Sequence, residues 1–316
     1  MMIGKLIFTR LILAVVTLLV VSILIFWTAE VLPGDIAARV LGRESTAQAR
    51  EVFRAKLHLD RPIIQRYGIW LGGIIRGDFG QSLVNDRKVV DTIGPRLKNT
   101  LIIGLVAFAL YLPVTILLAS LAAVYRDRPI DSFISLLTLI GLSMPEFVSG
   151  TILLFFFAVA IPIFPVMALI DNAKSPLEAL RILALPAITL MIIMSVYAIR
   201  MLRDNLIEVL DSEYIRMADL KGMSRRQVIL RHALPNAIIP ALNVTSLNLA
   251  YLIGGVVLVE RVFSYPGLGS LLVDSILLRD VPVIEAVTLI VASIYIFANL
   301  FADVMTMILN PRLRYG

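Results

Sequence analysis

The chain has 316 residues, 59% hydrophobic and 16% charged, with a mean hydropathy of +0.90 and a formal net charge of +6. A soluble domain carries roughly 45–50% apolar and about 25% charged residues, so this composition excludes a plain soluble enzyme, a disordered chain and a coiled coil, and implies several membrane-spanning helices. Cysteine is absent and His58 and His232 are the only histidines, which argues against disulfides, thiolate chemistry and His-rich metal or triad sites.

A helix needs about 20 mostly apolar residues to cross the hydrocarbon core, and charge-free runs mark six such spans. The first covers residues 11–29 after Lys5 and Arg10. It is long for a signal-peptide core and no A-x-A site follows, so residues 1–29 read as a retained transmembrane helix. Residues 30–98 read as a small helical external subdomain. Within it, 46–57 has an amphipathic pattern that Arg61-Pro62 ends. Ile63–Ile75 is expected to be a second helix with Tyr67, Ile69, Trp70 and Leu71 on its apolar face, and Gly77-Asp78-Phe79-Gly80 a turn. The second span covers 99–125. The third runs from 133 to about 164, interrupted by Glu146 directly after Pro145. The fourth is 182–199, the fifth 233–259 and the sixth 283–309. Glu285 and Asp303 stand near the ends of the sixth, where water would reach them. Residues 99–309 thus form a five-helix core, and 310–316 a cytoplasmic tail.

Lys and Arg in short loops set the orientation. The N-terminus, the loop 126–131, the segment 200–231 and the C-terminus together hold 13 of them. The opposite short loops hold 4: Lys174, Arg181, Arg261 and Arg279. Both termini are therefore expected in the cytoplasm. The 30–98 stretch is too long for the rule to bind it.

The largest cytoplasmic feature is 200–236, between the fourth and fifth spans. A helix over 213–221 would place Tyr214, Met217, Ala218 and Lys221 on one side. Gly222 can close it in a left-handed conformation. Ser224 with Gln227 three residues on makes a capping box for a second helix. Pro235 and Pro240 would then bend the start of the fifth span. A helix–turn–helix can bind DNA, but this one is tethered at both ends by membrane spans and carries mixed charge, so nucleic acid is not expected. Two readings stay open from the residues alone: a solvated loop that obeys the positive-inside rule, or a rigid element that transmits force.

The wording of the segment favours the second. Glu213-Tyr-Ile-Arg-Met-Ala218-Asp-Leu-Lys-Gly222, followed by Leu230-Arg-His-Ala-Leu-Pro-Asn-Ala-Ile-Ile-Pro240, resembles the EAA loop of ABC importer permeases, in the dipeptide/oligopeptide group. Leu32-Pro-Gly-Asp35 resembles that group's LPGDP, with Ile36 in place of the proline. Gly77-Asp-Phe-Gly-Gln-Ser82 resembles its GDxGxS element. Gly141-Leu-Ser-Met-Pro145, Val262-Phe263 with Tyr265-Pro-Gly-Leu-Gly269, and Asn310-Pro-Arg312 extend the resemblance across the chain. Arg216 and Met217 stand where other importer classes have Glu and Ala.

The resemblance implies an all-α membrane protein of six transmembrane helices with the type I ABC importer permease fold, in a bacterial inner membrane. It implies a second homologous permease subunit, two cytoplasmic ATPase subunits or domains and an external substrate-binding protein as partners, besides the bilayer. The chain contains no G-x-x-x-x-G-K-[ST] phosphate loop, so no cofactor is expected on it, and ATP and Mg belong to the partner ATPase. Glu213, Tyr214, Arg216, Ala218, Lys221, Gly222, Ser224, Arg225, Arg226 and Pro235 become the candidate ATPase-coupling residues.

Two further groups are candidates from the residues. Ser143, Pro145 and Glu146 could line or gate a pathway, because an intramembrane carboxylate often faces water or a partner. Alternatively Pro145 breaks the helix and Glu146 satisfies freed backbone donors. Tyr265, Pro266, Gly267 and Gly269 precede a helix too short to span, and could either contact a delivered ligand at the external mouth or plug the bundle. The competing functions are a self-sufficient secondary transporter or channel, which predicts an ion site and often an inverted repeat, and an intramembrane hydrolase, for which the two histidines are poorly placed.

Overall fold

The computed structural model describes residues 2–31, 46, 48 and 61–309. The 46–57 helix, the Leu32–Asp35 and Ile36 element, and the Asn310–Arg312 close fall outside those residues, almost or entirely.

Helix α1, Met2–Val31, carries an apolar run over Phe8–Thr28. It crosses beside α2, Ile63–Ile75, which has the predicted bounds. Ser22 and Tyr67 share a hydrogen bond of 2.8 Å, and Phe26 packs against Tyr67 and Trp70 at 5.5 and 5.6 Å. Ile69, expected on the same face, is instead exposed. Gly77 and Gly80 turn the chain with φ of +80° and +77°.

Helix α3, Val89–Val124, starts ten residues before the predicted span and takes them from the expected external subdomain. At 1.5 Å per residue its 36 residues reach about 54 Å, well beyond the roughly 30 Å hydrocarbon core. Asp91, Arg96 and Lys98 mark where the bilayer ends, since charge stops a span and not a helix.

The predicted third span is a correction. It consists of α4, Pro129–Ser143, and α5, Glu146–Leu154, which continues through a π turn, Phe155–Ala160; the two arms meet at 111°. Pro145 forces the break. The residue before a proline avoids helical geometry, and Met144 is extended at φ −98°, ψ 130°.

Helix α6, Pro176–Leu210, is capped by Ser175, whose Oγ accepts from the Glu178 amide. It overruns the predicted fourth span, so the acidic start of the expected loop is helix, and the loop proper begins at Asp211. Next come α7, Glu213–Leu220, and α8, Arg225–Gln227, which passes through a second π turn, Val228–Ala233, into α9, Leu234–Val262. Helices α10, Leu268–Leu278, and α11, Val281–Leu309, complete the described chain.

Helix α3 packs along α6, α9 packs on α6 and α11, and α1 lies against α11. Gly141 lets α4 approach α6 closely: a Cβ there would stand 2.5 Å from Val196 Cγ1. Two cores mark the ends of the bundle. One joins Ala119, Ile134, Leu206, Ile215, Val228 and Ala237. The other joins Ile103, Ala158, Leu185, Val259, Phe263 and Tyr265. The bent α4–α5 pair and α9 each contribute to both cores, so each runs from one end to the other. Among the described residues four helices are long and apolar enough to cross a membrane, five if the bent pair counts as one span.

Candidate functional site

The α7 end holds the segment singled out in the sequence. Glu213 opens α7 in its first turn, where a carboxylate complements the helix dipole. Ile215 and Ala218, three residues apart, are buried at 1% and 7% exposure in the core at this end. Tyr214, Met217 and Leu220 are exposed, as is Lys221, because the shared core is reached only from the Ile215–Ala218 side.

Beyond the C-cap Lys221, Gly222 adopts φ +75°. Its amide donates to Asp219 O at 2.9 Å and the Met223 amide to Ala218 O at 3.3 Å. These are the paired bonds of a Schellman closure, and Met223 packs on the same core as Ala218. Ser224 then forms the capping box: its Oγ accepts from the Gln227 amide at 3.4 Å, and its own amide donates to Gln227 Oε1 at 3.2 Å.

The π turn has a local cause. Pro235 has no N–H to donate to Arg231 and its ring crowds that carbonyl, so the helix widens just before it. The carbonyl of His232 receives Tyr214 Oη at 3.2 Å and Asn236 Nδ2 at 2.7 Å. Tyr214 therefore ties α7 to the base of α9. Arg225, Arg226 and Pro235 are exposed, as are Arg216 and Glu213, which pair at 3.4 Å.

One support was missed from sequence. Asp131, 4% exposed, accepts Arg203 Nε and Nη2, each at 2.6 Å, and the Asp127 amide at 3.0 Å. This bidentate pair pins the start of α4 to α6 beneath α7. Nothing in a linear pattern links residues 72 apart.

At the other end of the bundle, the turn read as either a ligand contact or a plug is closely packed. Tyr265 is fully buried and donates to Asn99 O at 2.7 Å; Gly267 and Gly269 are buried too. Pro266 is partly buried, its carbonyl accepting from Asn99 Nδ2 at 3.0 Å. A Cβ on Gly267 would overlap the carboxylate of Glu260, and one on Gly269 would stand 2.5 Å from Val257 Cα. These residues form a packed seat and not an open mouth. Glu260, passed over in the sequence, is its centre: fully buried, it accepts Thr100 Oγ1 at 2.6 Å and the Ser270 amide at 3.0 Å. A carboxylate suits this place because the first amides of α10 have no partner within the helix and carry its positive end. Ser82, from the Gly77–Ser82 element, donates from its hydroxyl to buried Asp280, which also accepts the Leu83 amide at 3.0 Å.

Two family descriptions match most of the chain. "Binding-protein-dependent transport system inner membrane component" covers residues 115–315, and its N-terminal counterpart covers 2–105. The chain belongs to this family. It is 36% identical over 314 residues to a protein described as a peptide transport system permease of Brucella melitensis, covering 99% of this chain and all of that one. It is 35% identical over 299 residues to the glutathione transport system permease protein GsiC of Escherichia coli K12, covering 95% of each.

In this permease the pathway candidates separate. Ser143 is exposed at the end of α4 and its hydroxyl donates back to Leu139 O at 2.9 Å. Pro145 is the exposed break. Glu146 is half-buried in the first turn of α5, its Oε2 only 3.0 Å from where a Cβ on Gly255 would stand. The bare backbone of α9 makes room for this carboxylate, which lies seven residues, or about 10 Å, along α9 from Val262. Glu285, expected to be solvated, is buried at 6% exposure, because α11 packs against α9 and α10 over its first turns. The Asp303 side chain lies outside the described residues. Among the described residues, no group of three or more His, Cys, Asp and Glu could hold a metal ion.

Proposed function

We propose that this permease forms half of the translocation pathway of an ATP-driven importer, and that α7 is the element on which a separate ATPase acts. The observation that carries the reading is how α7 is held. Two buried side chains, a Schellman turn, a capping box and the Tyr214–His232 tie leave it no independent hinge. Its outer side presents Tyr214, Met217 and Leu220 among Glu213, Arg216 and Lys221. Half-exposed apolar groups ringed by charge suit a protein groove better than water. A push on such an element moves the base of α9, and with it a helix that reaches the opposite core.

The rest follows from this reading. The positive-inside count supports both termini and α7 in the cytoplasm of a bacterial cell, with the seat around Glu260 outside. With α9 counted beside the five apolar spans, the chain crosses six times. A second homologous permease, two ATPase subunits or domains and an external binding protein complete the machine. In this reading ATP and Mg bind the ATPase, in keeping with a sequence that has no G-x-x-x-x-G-K-[ST] run. The names of the relatives point to peptides or short peptide-like solutes such as glutathione as cargo. Glu146, at the break of a span, is the pathway residue of this reading, with Ser143 and Pro145 shaping the break around it.

The test is reconstitution. The purified chain alone in liposomes should neither hydrolyse ATP nor accumulate peptide, whereas the complex with ATPase and binding protein should do both. Uphill uptake by the chain alone, driven by an ion gradient, would refute the reading in favour of a secondary transporter.

A further inference from the structure

We infer that a cleft between α4 and α6 at the α7 end binds the headgroup of a zwitterionic aminophospholipid, phosphatidylethanolamine in chemistry. The inference rests on the membrane embedding and not on the proposed coupling role. The cleft encloses about 270 Å³ and is lined by Ser135, Leu136, Leu139, Arg200, Arg203 and Asp204. Its depth in the bilayer is set by the sequence: Arg200 is the first charge after the uncharged run 182–199. Tyr197, one turn nearer the bilayer centre, is 54% exposed, as expected of an aromatic at the lipid–water boundary. Leu136 and Leu139 are 54% and 53% exposed and continue a mostly apolar outer face with Phe133 and Ile140, with exposed serines, Ser132 and Ser143, near its two ends, suited to acyl chains.

The charges choose the headgroup. Arg203 is committed: Nε and Nη2 hold Asp131, and Nη1 holds Asp204 at 2.9 Å. Among the described residues Arg200 makes no ion pair, although Asp204 stands four residues on, on the same helix face. The side chain of Asp204 is 69% exposed. Two arginines face two aspartates, so the pocket is neutral overall but has a free guanidinium at one side and an accessible carboxylate at the other. A phosphate takes the planar donors of Arg200. An ammonium four atoms away along the same headgroup takes Asp204, and the Ser135 oxygen can accept from it, because that hydroxyl gives its own proton to Asp131. A net-anionic headgroup would leave a negative charge beside Asp204 unanswered. A choline headgroup has no N–H to donate.

The experiment uses the full chain in nanodiscs of equal parts phosphatidylethanolamine, phosphatidylcholine and phosphatidylglycerol with identical acyl chains, followed by native mass spectrometry of the lipids retained per chain. One phosphatidylethanolamine should be retained in several-fold excess over either competitor. Arg200→Gln should lower its retention about tenfold, the loss expected for one charged hydrogen-bonded contact. Asp204→Asn leaves Arg203 on Asp131 and makes the pocket cationic, so the retained lipid should switch to phosphatidylglycerol. Arg87→Gln, on the exposed surface far from the cleft, should change nothing. Equal retention of the three lipids by the unaltered chain would overturn the inference. So would an unchanged headgroup preference in Asp204→Asn, or a loss no greater in Arg200→Gln than in Arg87→Gln. If Arg200→Gln does not fold, Arg200→Lys, a point charge without the planar fork, should give intermediate retention.

Discussion

Substitution at Gly222 separates backbone strain from packing. Nothing lies within 4 Å of a Cβ built there, so any cost is conformational. With φ at +75°, an alanine bears about 1 kcal/mol in the left-handed region and a β-branched valine about 2 kcal/mol. The alternative is to open the turn, which loses the Gly222–Asp219 and Met223–Ala218 bonds at about 1 kcal/mol each. Both routes set the cost of Gly222→Val near 2 kcal/mol, or about a 30-fold larger open population of the α7 turn. Hydrogen exchange of the segment 213–224 in the detergent-solubilised complex reads this directly. Asparagine tolerates the left-handed region, so the order of protection should be Gly, Asn, Ala, Val. Membrane insertion should be unchanged, since it depends on the apolar runs. Binding-protein-stimulated ATPase activity of the reconstituted complex should fall in the same order. If Gly222→Val exchanges no faster than Gly222→Asn, the strain argument is wrong. If it exchanges faster yet transports at the unaltered rate, α7 is not the transmission element.

Gly267→Ala should behave oppositely to Gly222→Ala. Its Cβ meets the buried, hydrogen-bonded carboxylate of Glu260, which has no room to move, so thermal unfolding in detergent should show a loss of about 3 kcal/mol. Asp131→Ala removes the buried partner of Arg203, leaving it only the exposed Asp204, and should cost up to about 3 kcal/mol; pairing it with Arg203→Met should restore most of the thermal stability, because the one charge then left without a partner, Asp204, is exposed to water. Ser224→Ala removes one arm of the capping box and should cost about 1 kcal/mol, seen as faster exchange at Gln227 with assembly intact. Compartment reporters fused after Arg128, Ser224 and Arg314 should report cytoplasm, and those at Asn85, Lys174 and Leu272 the outside; a cytoplasmic signal at Asn85 would refute the six-span topology.

What the sequence determined by itself was whatever depends on composition or on residues a few positions apart. The apolar runs placed the membrane helices, because burial in lipid needs about 20 uncharged residues in a row. The Gly222 turn and the Ser224–Gln227 box were legible because both are closed by local hydrogen bonds spanning three to five residues. Helix ends were not legible from hydropathy: α3 and α6 run past their apolar segments, since water tolerates a helix that lipid requires. Pro145 announced a break but not its 111° angle, which follows from how α4 and α5 pack on α6 and α9. The contacts that decide the two ends of the molecule were hidden for a related reason. Asp131 meets Arg203 across 72 residues, and Glu260 meets Thr100 across 160. Tyr265, Gly267 and Gly269 read equally as a mouth contact or a plug, and only the packing around them shows that they are buried. A short polar motif looks the same in sequence whether it faces water or a buried carboxylate, and only the neighbours brought by the fold choose between the two.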